Sequence, residues 1–357
     1  MPRADSPSPD AVCILRLSAL GDCCHALPTV HTLRKAFPDT PITWIIGATE
    51  HQLLHGLDGV EFITFAKAAG WRGLLDVRRQ LAGRQFPVLL NLHASMRANL
   101  VSAVVDAARR IGYDRERARD YQWLFCNERI AGPARVHVCD GMLSFAAHIG
   151  ATDPVIDWSI PLDDVDRAFV RERVPAGQRV CVISPCSSQR ARNYRDWSVE
   201  RYIEIVNHLQ RDYGATVVLS GSQSAVERRY ADAIQAASAA PVIDLVGRTR
   251  VRQWAALLAA ADLVICPDSG PVHVATAFGT PVIGLYATSN PQRTGPYRDP
   301  LELTVNRYPQ AVRAEFNCEV DSLSWGQRVR NPEAMNLITV DDVSERIARA
   351  WAPPQAR

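Results

Sequence analysis

Three stretches of the 357-residue chain hold residue types that group transfer requires. The first is Arg16-Leu-Ser-Ala-Leu-Gly-Asp22-Cys-Cys-His25-Ala-Leu-Pro28, where an apolar run ends in a small-residue turn with Gly21 and Asp22. Asp22 reads as a helix N-cap worth about 1 kcal/mol, or as a carboxylate placed to act as general base. The second is Asp268-Ser269-Gly270-Pro271-Val272-His273, at the end of another apolar run. Proline suits a first helical turn because the N–H it lacks has no partner there. The first-turn N–H groups around Ser269–His273 then carry roughly half a positive charge, a site suited to a diphosphate. His273 would donate to a phosphate oxygen. A capped helix with a core histidine is the plainer reading, although Ala275, Thr276, Ala277 and Gly279 leave room for close backbone approach. The third is the loop 184–197, where Arg190, Arg192 and Arg195 would neutralise a phosphate or leaving pyrophosphate, or simply face solvent. Glu227, after Ser220-Gly-Ser, would accept from ribose hydroxyls or stand as an exposed helix charge.

Other chemistries lack their residues. With one glycine, the first turn is neither a dinucleotide fingerprint nor a Walker loop. No G-x-S-x-G elbow is present, and no cluster has convincing metal-ligand spacing. The pair Asp164 and Asp166 reads as a solvated acidic run in a linker.

The elements that must position these residues alternate along the chain. Strand-like runs cover Val12–Leu17, Ile42–Gly47, Glu61–Phe65, Val88–Leu92, Arg179–Ser184, Thr216–Ser220, Val242–Val246, Leu263–Cys266 and Val282–Tyr286. Helical patterns between them include Cys24–Phe37, Gly70–Ala82, Met96–Ala108, Val199–Tyr213, Gln223–Ala237 and Val251–Ala260. Such alternation predicts parallel sheets covered on both faces. The pattern restarts after a linker near 165–178, so two doubly wound domains are expected, 1–170 and 171–357. The terminal helix, Val340–Trp351, is a candidate to pack back on the first. Ligands of such sheets bind at the carboxyl ends of the strands, where all three motifs fall.

Composition narrows the class. A formal net charge of +2 argues against a nucleic-acid binder that works by bulk basicity. The nine cysteines, an odd count with no C-x-x-C, read as reduced structural thiols. The opening MPRADSPSPDAV lacks the apolar core of a secretory signal, and the apolar run Trp254–Cys266 is broken by Asp262, short of the ~18–20 residues of a membrane span. A cytoplasmic protein is expected, with room for peripheral contact with a membrane.

Taken together, the motifs resemble glycosyltransferase family nine, the ADP-heptose:lipopolysaccharide heptosyltransferases, over about Ala11 to Val343. The Leu-Gly-Asp turn followed by Ala-Leu-Pro is similar to the family's N-terminal signature, and Asp268-Ser-Gly-Pro-Val-His273 to its ADP-binding signature. Val88-Leu-Leu-Asn-Leu-His93, with Ser95 and Arg97, is similar to the strand lining the acceptor side. The resemblance implies a GT-B fold of two Rossmann-like domains, an N-terminal one for the acceptor and a C-terminal one for the nucleotide sugar. It implies inverting transfer of heptose from ADP-heptose to the inner core of a lipid A-linked lipopolysaccharide acceptor. Asp22 would be the base; Arg192, Glu227, Asp268, Ser269, Gly270 and His273 would bind the donor; His93 and Arg97 would bind the acceptor. No cofactor or metal is implied, the helix N-terminus and Arg192 holding the phosphates instead. The arginines near 109–119 offer a membrane-facing surface diluted by Asp114, Glu116 and Asp120. One departure stands out: where the family commonly has lysine before a Trp-Pro pair, this chain has Arg192-Asn-Tyr. Residues 311–330 match no functional pattern. A GT-B transferase with another sugar or acceptor, a nucleotide-sugar epimerase and a non-catalytic nucleotide binder remain as other readings.

Overall fold

The computed structural model describes residues 8–133, 135–188 and 194–352. Two compact units divide between Pro161 and Leu162.

In the first unit β1 (Val12–Leu15), β2 (Ile42–Gly47), β3 (Val60–Phe65), β4 (Phe86–Asn91), β5 (Ala107–Gly112) and β6 (Glu128–Arg129) form one sheet in the order β3-β2-β1-β4-β5-β6. Every pairing is parallel. The helices are α1 (Leu20–Ala36), α2 (Ala48–Leu54), α3 (Trp71–Gln80), α4 (Met96–Ala103) and α5 (Val138–His148). The four residues of β1 are all fully buried, as a strand covered on both faces requires. Helix α1 packs against α5 and is buried on most sides, so its sequence carries little amphipathic pattern. This explains why its start, at Leu20 rather than near Cys24, is hard to read.

The helix expected over Met96–Ala108 ends at Ala103, and β5 follows. Charges disguise that strand. Arg109 makes a bidentate pair with Glu128 at 2.7 and 2.8 Å. Arg110 donates to the carbonyls of Val105 at 2.7 Å and Phe125 at 3.1 Å, and also to that of Ser102. Arg117 pairs with Asp114. The arginines of 109–119 are therefore largely engaged within the unit.

The second unit repeats the winding. Its elements are α6 (Asp164–Arg171), β7 (Val180–Ile183), α7 (Val199–Tyr213), β8 (Thr216–Leu219), α8 (Ala225–Ala237), β9 (Ile243–Asp244), α9 (Val251–Ala260), β10 (Leu263–Pro267), α10 (Gly270–Ala277), β11 (Val282–Tyr286), α11 (Pro291–Thr294), β12 (Val305–Asn306), α12 (Tyr308–Phe316) and α13 (Val340–Ala350). The parallel sheet runs β12-β11-β10-β7-β8-β9. In each unit the strand order reverses beside the first strand, at β1/β4 and at β7/β10, the place where doubly wound sheets bind ligands.

Helix α6 belongs to this unit. Its Asp166, expected in solvent, is buried and pairs with Arg252 of α9 at 2.7 Å. Helix α13 places Val343 and Ile347 in the core of this unit with Tyr308 and Trp197. All nine cysteines are free thiols. No helix of the described residues is long and apolar enough to cross a membrane.

Candidate active site

The β1–α1 turn of the first unit holds Asp22, at the third position of α1 with Ala19 as N-cap. Asp22 is thus not the cap residue; its Oδ2 reaches back to accept from Ala19 N–H at 3.1 Å. The same oxygen lies 2.5 Å from Arg16 Nη2. Arg16, buried at the end of β1, also donates Nη1 to Leu92 O at 2.6 Å. One guanidinium therefore joins the β1 turn to the end of β4, where His93 stands. His93 Nδ1 accepts from Leu17 N–H at 3.2 Å, so the neutral ring carries its proton on Nε2. Burial, with the Arg16 charge, pushes the His93 pKa down to about 3 against the pull of Asp22, and Arg97 adds to the depression. Arg97 is exposed in the first turn of α4, after the Ser95 N-cap.

Sequence reasoning assigned no role to Arg16 or to Glu50. Burial raises Glu50 above the usual carboxyl range, opposed by Lys67 and Arg16 and reinforced by Asp22. A Cβ at Gly47 would collide with Glu50 Oε2 and Leu17 O, so glycine is what admits this carboxylate to the β1 turn. A charged residue closing a fully apolar strand was the available signal for Arg16.

In the second unit, Asp268 follows β10 and is 5 % exposed. Its Oδ2 accepts from Ser289 Oγ at 2.7 Å and lies 3.5 Å from Arg195 Nη1. Arg195 also donates to Asp268 O at 2.6 Å. Ser269 is the N-cap of α10, but its hydroxyl donates to Pro267 O at 3.0 Å instead of capping the helix. The first-turn N–H groups at Gly270 and after thus receive nothing from the Ser269 side chain, a geometry open to an anion. His273 sits one turn along, half-buried.

Glu227 lies on the neighbouring β8–α8 turn and is 8 % exposed, not the exposed helix charge of the plainer reading. Its carboxylate accepts from Ser222 N–H at 3.0 Å, Ser224 Oγ at 2.6 Å and Ser222 Oγ. A carboxylate has about four acceptor positions, so one remains for a ligand hydroxyl. Arg192 lies outside the described residues. The ends of its loop are closed by Asp196, whose Oδ1 accepts from both Ser187 N and Oγ at 2.7 Å. Among the described residues no group of three or more His, Cys, Asp or Glu is arranged to hold a metal ion.

The geometry collects Asp22, Arg16 and His93 at one strand edge, and Asp268 to His273 with Arg195 at another. Residues 74–323 match the family model described as "Glycosyltransferase family 9 (heptosyltransferase)". The lipopolysaccharide core heptosyltransferase OpsX of Haemophilus influenzae is 37 % identical over 336 residues, 94 % of this chain and 95 % of that protein. The chain belongs to glycosyltransferase family 9. It is a glycosyltransferase of the heptosyltransferase type, and its two Rossmann-like units are those of the GT-B fold. Solved family 9 structures agree on the fold. That of Veillonella parvula superposes with a TM-score of 0.76 at 19 % identity, over 96 % of this chain and 97 % of that one. E. coli heptosyltransferase WaaC with ADP gives 0.72 at 18 % identity, over 95 % and 99 %.

Proposed function

We propose that the protein transfers heptose from ADP-heptose to the inner core of lipopolysaccharide, on a lipid A-linked acceptor, with inversion. The likeness to OpsX over nearly the whole of both chains carries this reading. Asp22 takes the proton from the acceptor hydroxyl as that oxygen bonds to the anomeric carbon. The carbon–oxygen bond to the diphosphate breaks and ADP leaves with the electron pair. The first unit takes the acceptor: His93 offers Nε2–H and Arg97 a cation to its polar and acidic groups. The second takes the nucleotide sugar. The N-terminus of α10, from Ser269 and Gly270 to His273, receives the diphosphate with Arg192, Asp268 orders the turn, and Glu227 accepts from the ribose. Fixed N–H dipoles and guanidiniums suit this task because they need no reorganisation as charge develops on the leaving group.

Peripheral contact with the inner membrane belongs to the same reading. Asp120 accepts from Met96 N–H at 2.9 Å, and its carbonyl from Asn99 Nδ2 at 2.7 Å. These bonds set exposed Met96 and Leu100 of α4 beside exposed Tyr121, Trp123 and Leu124. Aromatic and leucine side chains grouped this way suit a bilayer interface.

A donor panel tests the function. With a heptose-free lipopolysaccharide acceptor, ADP-heptose is expected to be consumed and UDP- and GDP-sugars not. Conversion of a free nucleotide sugar with no acceptor present would overturn transfer in favour of epimerisation.

A further inference from the structure

The first unit has a cavity of about 300 Å³ lined by Ala103, Arg110, Leu124, Phe125, Cys126 and Asn127. That volume is at the small end of ligand pockets, which run from roughly 300 to 1,000 Å³. None of the residues assigned above to sugar transfer lines it. Ala103 is the last residue of α4, and Leu124 to Asn127 lead from a single turn at 122–124 into β6.

Arg110 of β5 ties these two walls together. Nε donates to Phe125 O at 3.1 Å, Nη1 to Val105 O at 2.7 Å, and Nη2 to Ser102 O. Its backbone N–H donates to Asn127 Oδ1 at 2.7 Å, while Asn127 Nδ2 donates to Ala108 O at 2.8 Å. The walls are therefore fixed by hydrogen bonds. All three acceptors of the guanidinium are carbonyls and none is a carboxylate, among the described residues. Carbonyls at a helix end offset only about half a charge, so a net cation stays against apolar side chains. Burial lowers the proton affinity of Arg110, with Cys126, Cys13 and Asp106 acting against it. A guanidinium has five N–H groups; with one bond made from each nitrogen, Nη1 and Nη2 each keep an N–H for an anion.

The pocket terminates an apolar face. Met96, Leu100 and Ala103 are spaced four and three residues apart, so they share one side of α4, and all three are exposed. Exposed Tyr121, Trp123 and Leu124 stand beside them, set there by the two bonds of Asp120. Leu124 belongs to both the face and the pocket. Tyrosine and tryptophan settle at the headgroup level of a bilayer, which brings lipid phosphates to the mouth where Arg110 lies. A guanidinium is weakly hydrated for a cation, and between apolar walls it favours a phosphate that arrives with its own apolar tail.

We propose that the pocket between the end of α4 and residues 124–127 binds the acidic headgroup of a membrane phospholipid, with Arg110 as its cation. The choice of a lipid rests on the membrane contact proposed above and not on the sugar that is transferred.

Vesicle flotation of the full chain tests this, with phosphatidylcholine alone and with phosphatidylcholine and phosphatidylglycerol in equal parts. Salt near 1 M, where the Debye length is about 3 Å, suppresses the pull of exposed arginines and spares a sheltered pair. Under those conditions wild type is expected to prefer the phosphatidylglycerol vesicles. One arginine near the surface accounts for about a fivefold change, so Arg110→Gln and Ala103→Glu should each lower that preference about fivefold. Binding to phosphatidylcholine alone should stay within about twofold. Ala103→Glu leaves Arg110 and its carbonyl bonds in place, so it decides the question if Arg110→Gln does not fold. Folded variants that keep the full preference, or lose both vesicles equally, would overturn the headgroup site while leaving the membrane contact standing. Inorganic phosphate binding that Arg110→Gln abolishes, with vesicle preference unmoved, would make this a free-anion site and overturn the lipid. A wild-type chain that binds neither vesicle and sediments as a dimer would give the face to a second copy and overturn the membrane reading and this proposal together.

Discussion

Arg16 Nη2 stands 2.5 Å from Asp22 Oδ2 while Nη1 of the same guanidinium holds the Leu92 carbonyl at 2.6 Å. The proposed base is therefore aimed by a side chain that also sets the end of β4, two residues from the turn that begins α4. Burial works against the Arg16 charge, yet Asp22, Tyr113 and Cys23 together hold the guanidinium above the usual arginine range. Asp22 thus keeps a fixed cation at its side.

Arg16→Gln is expected to lower kcat about 10–100-fold, the cost of a base displaced by about 1 Å. Losing the cation also weakens the charged form of Asp22, so the acidic limb of kcat/KM should move to higher pH. Arg16→Lys should move that limb less. A kcat loss with an unmoved pH profile would make Arg16 a structural residue only.

His93 is expected to stay neutral from neutral pH down to about 3, the value to which burial and Arg16 depress it. An unfolded histidine titrates near 6.5. Between those values the unfolded chain binds the extra proton, so stability falls as pH drops through that window and is fully present above it. Denaturant unfolding at pH 7.5 and pH 5 should show a loss for wild type that is smaller in His93→Gln. Imidazole NMR signals of His93 titrating near 6.5 in the folded protein would contradict this.

Glu227→Gln removes a buried charge but keeps an acceptor for Ser222 N–H. The ADP Kd is expected to rise about tenfold, equivalent to roughly 1.4 kcal/mol, with the melting temperature little changed. A lost fold with unaltered ADP affinity in the remaining folded fraction would reduce Glu227 to the lock of its own serine turn.

Asp166→Asn takes the charge from the nearer of two carboxylates on Arg252, a pair at 2.7 Å in which both side chains are largely buried, and leaves Asp163 at 3.5 Å. Weakening a largely buried hydrogen bond between charged groups in this way is expected to cost about 1.5–3 kcal/mol. Urea unfolding of the variant should show that loss in the second unit. A change under about 0.5 kcal/mol would place the pair with surface ion pairs.

Much of the architecture was legible because fully buried strands such as Val12–Leu15 and Val180–Ile183 read as continuous apolar runs between helical patterns. The two signature turns were legible because glycine, proline and acid residues punctuate strand ends. What escaped had physical reasons. Strand β5 hides behind Arg109 and Arg110, whose charges find partners only in the fold. Strands β6 and β12 have two residues each, too few for any period. Asp166 looked solvated because Arg252, its partner, is 86 positions away. Arg16 acts through its contact with Leu92, 76 positions away, and no local spacing encodes that.

The most direct measurement is heptose transfer from ADP-heptose to a heptose-free lipopolysaccharide acceptor, wild type beside Asp22→Asn. Transfer by wild type is expected, with a loss of about 100-fold or more in the variant and ADP binding retained. Transfer by Asp22→Asn at the wild-type rate would contradict the role given to Asp22, and a wild-type enzyme that binds ADP yet moves no heptose would contradict the donor and acceptor proposed for it.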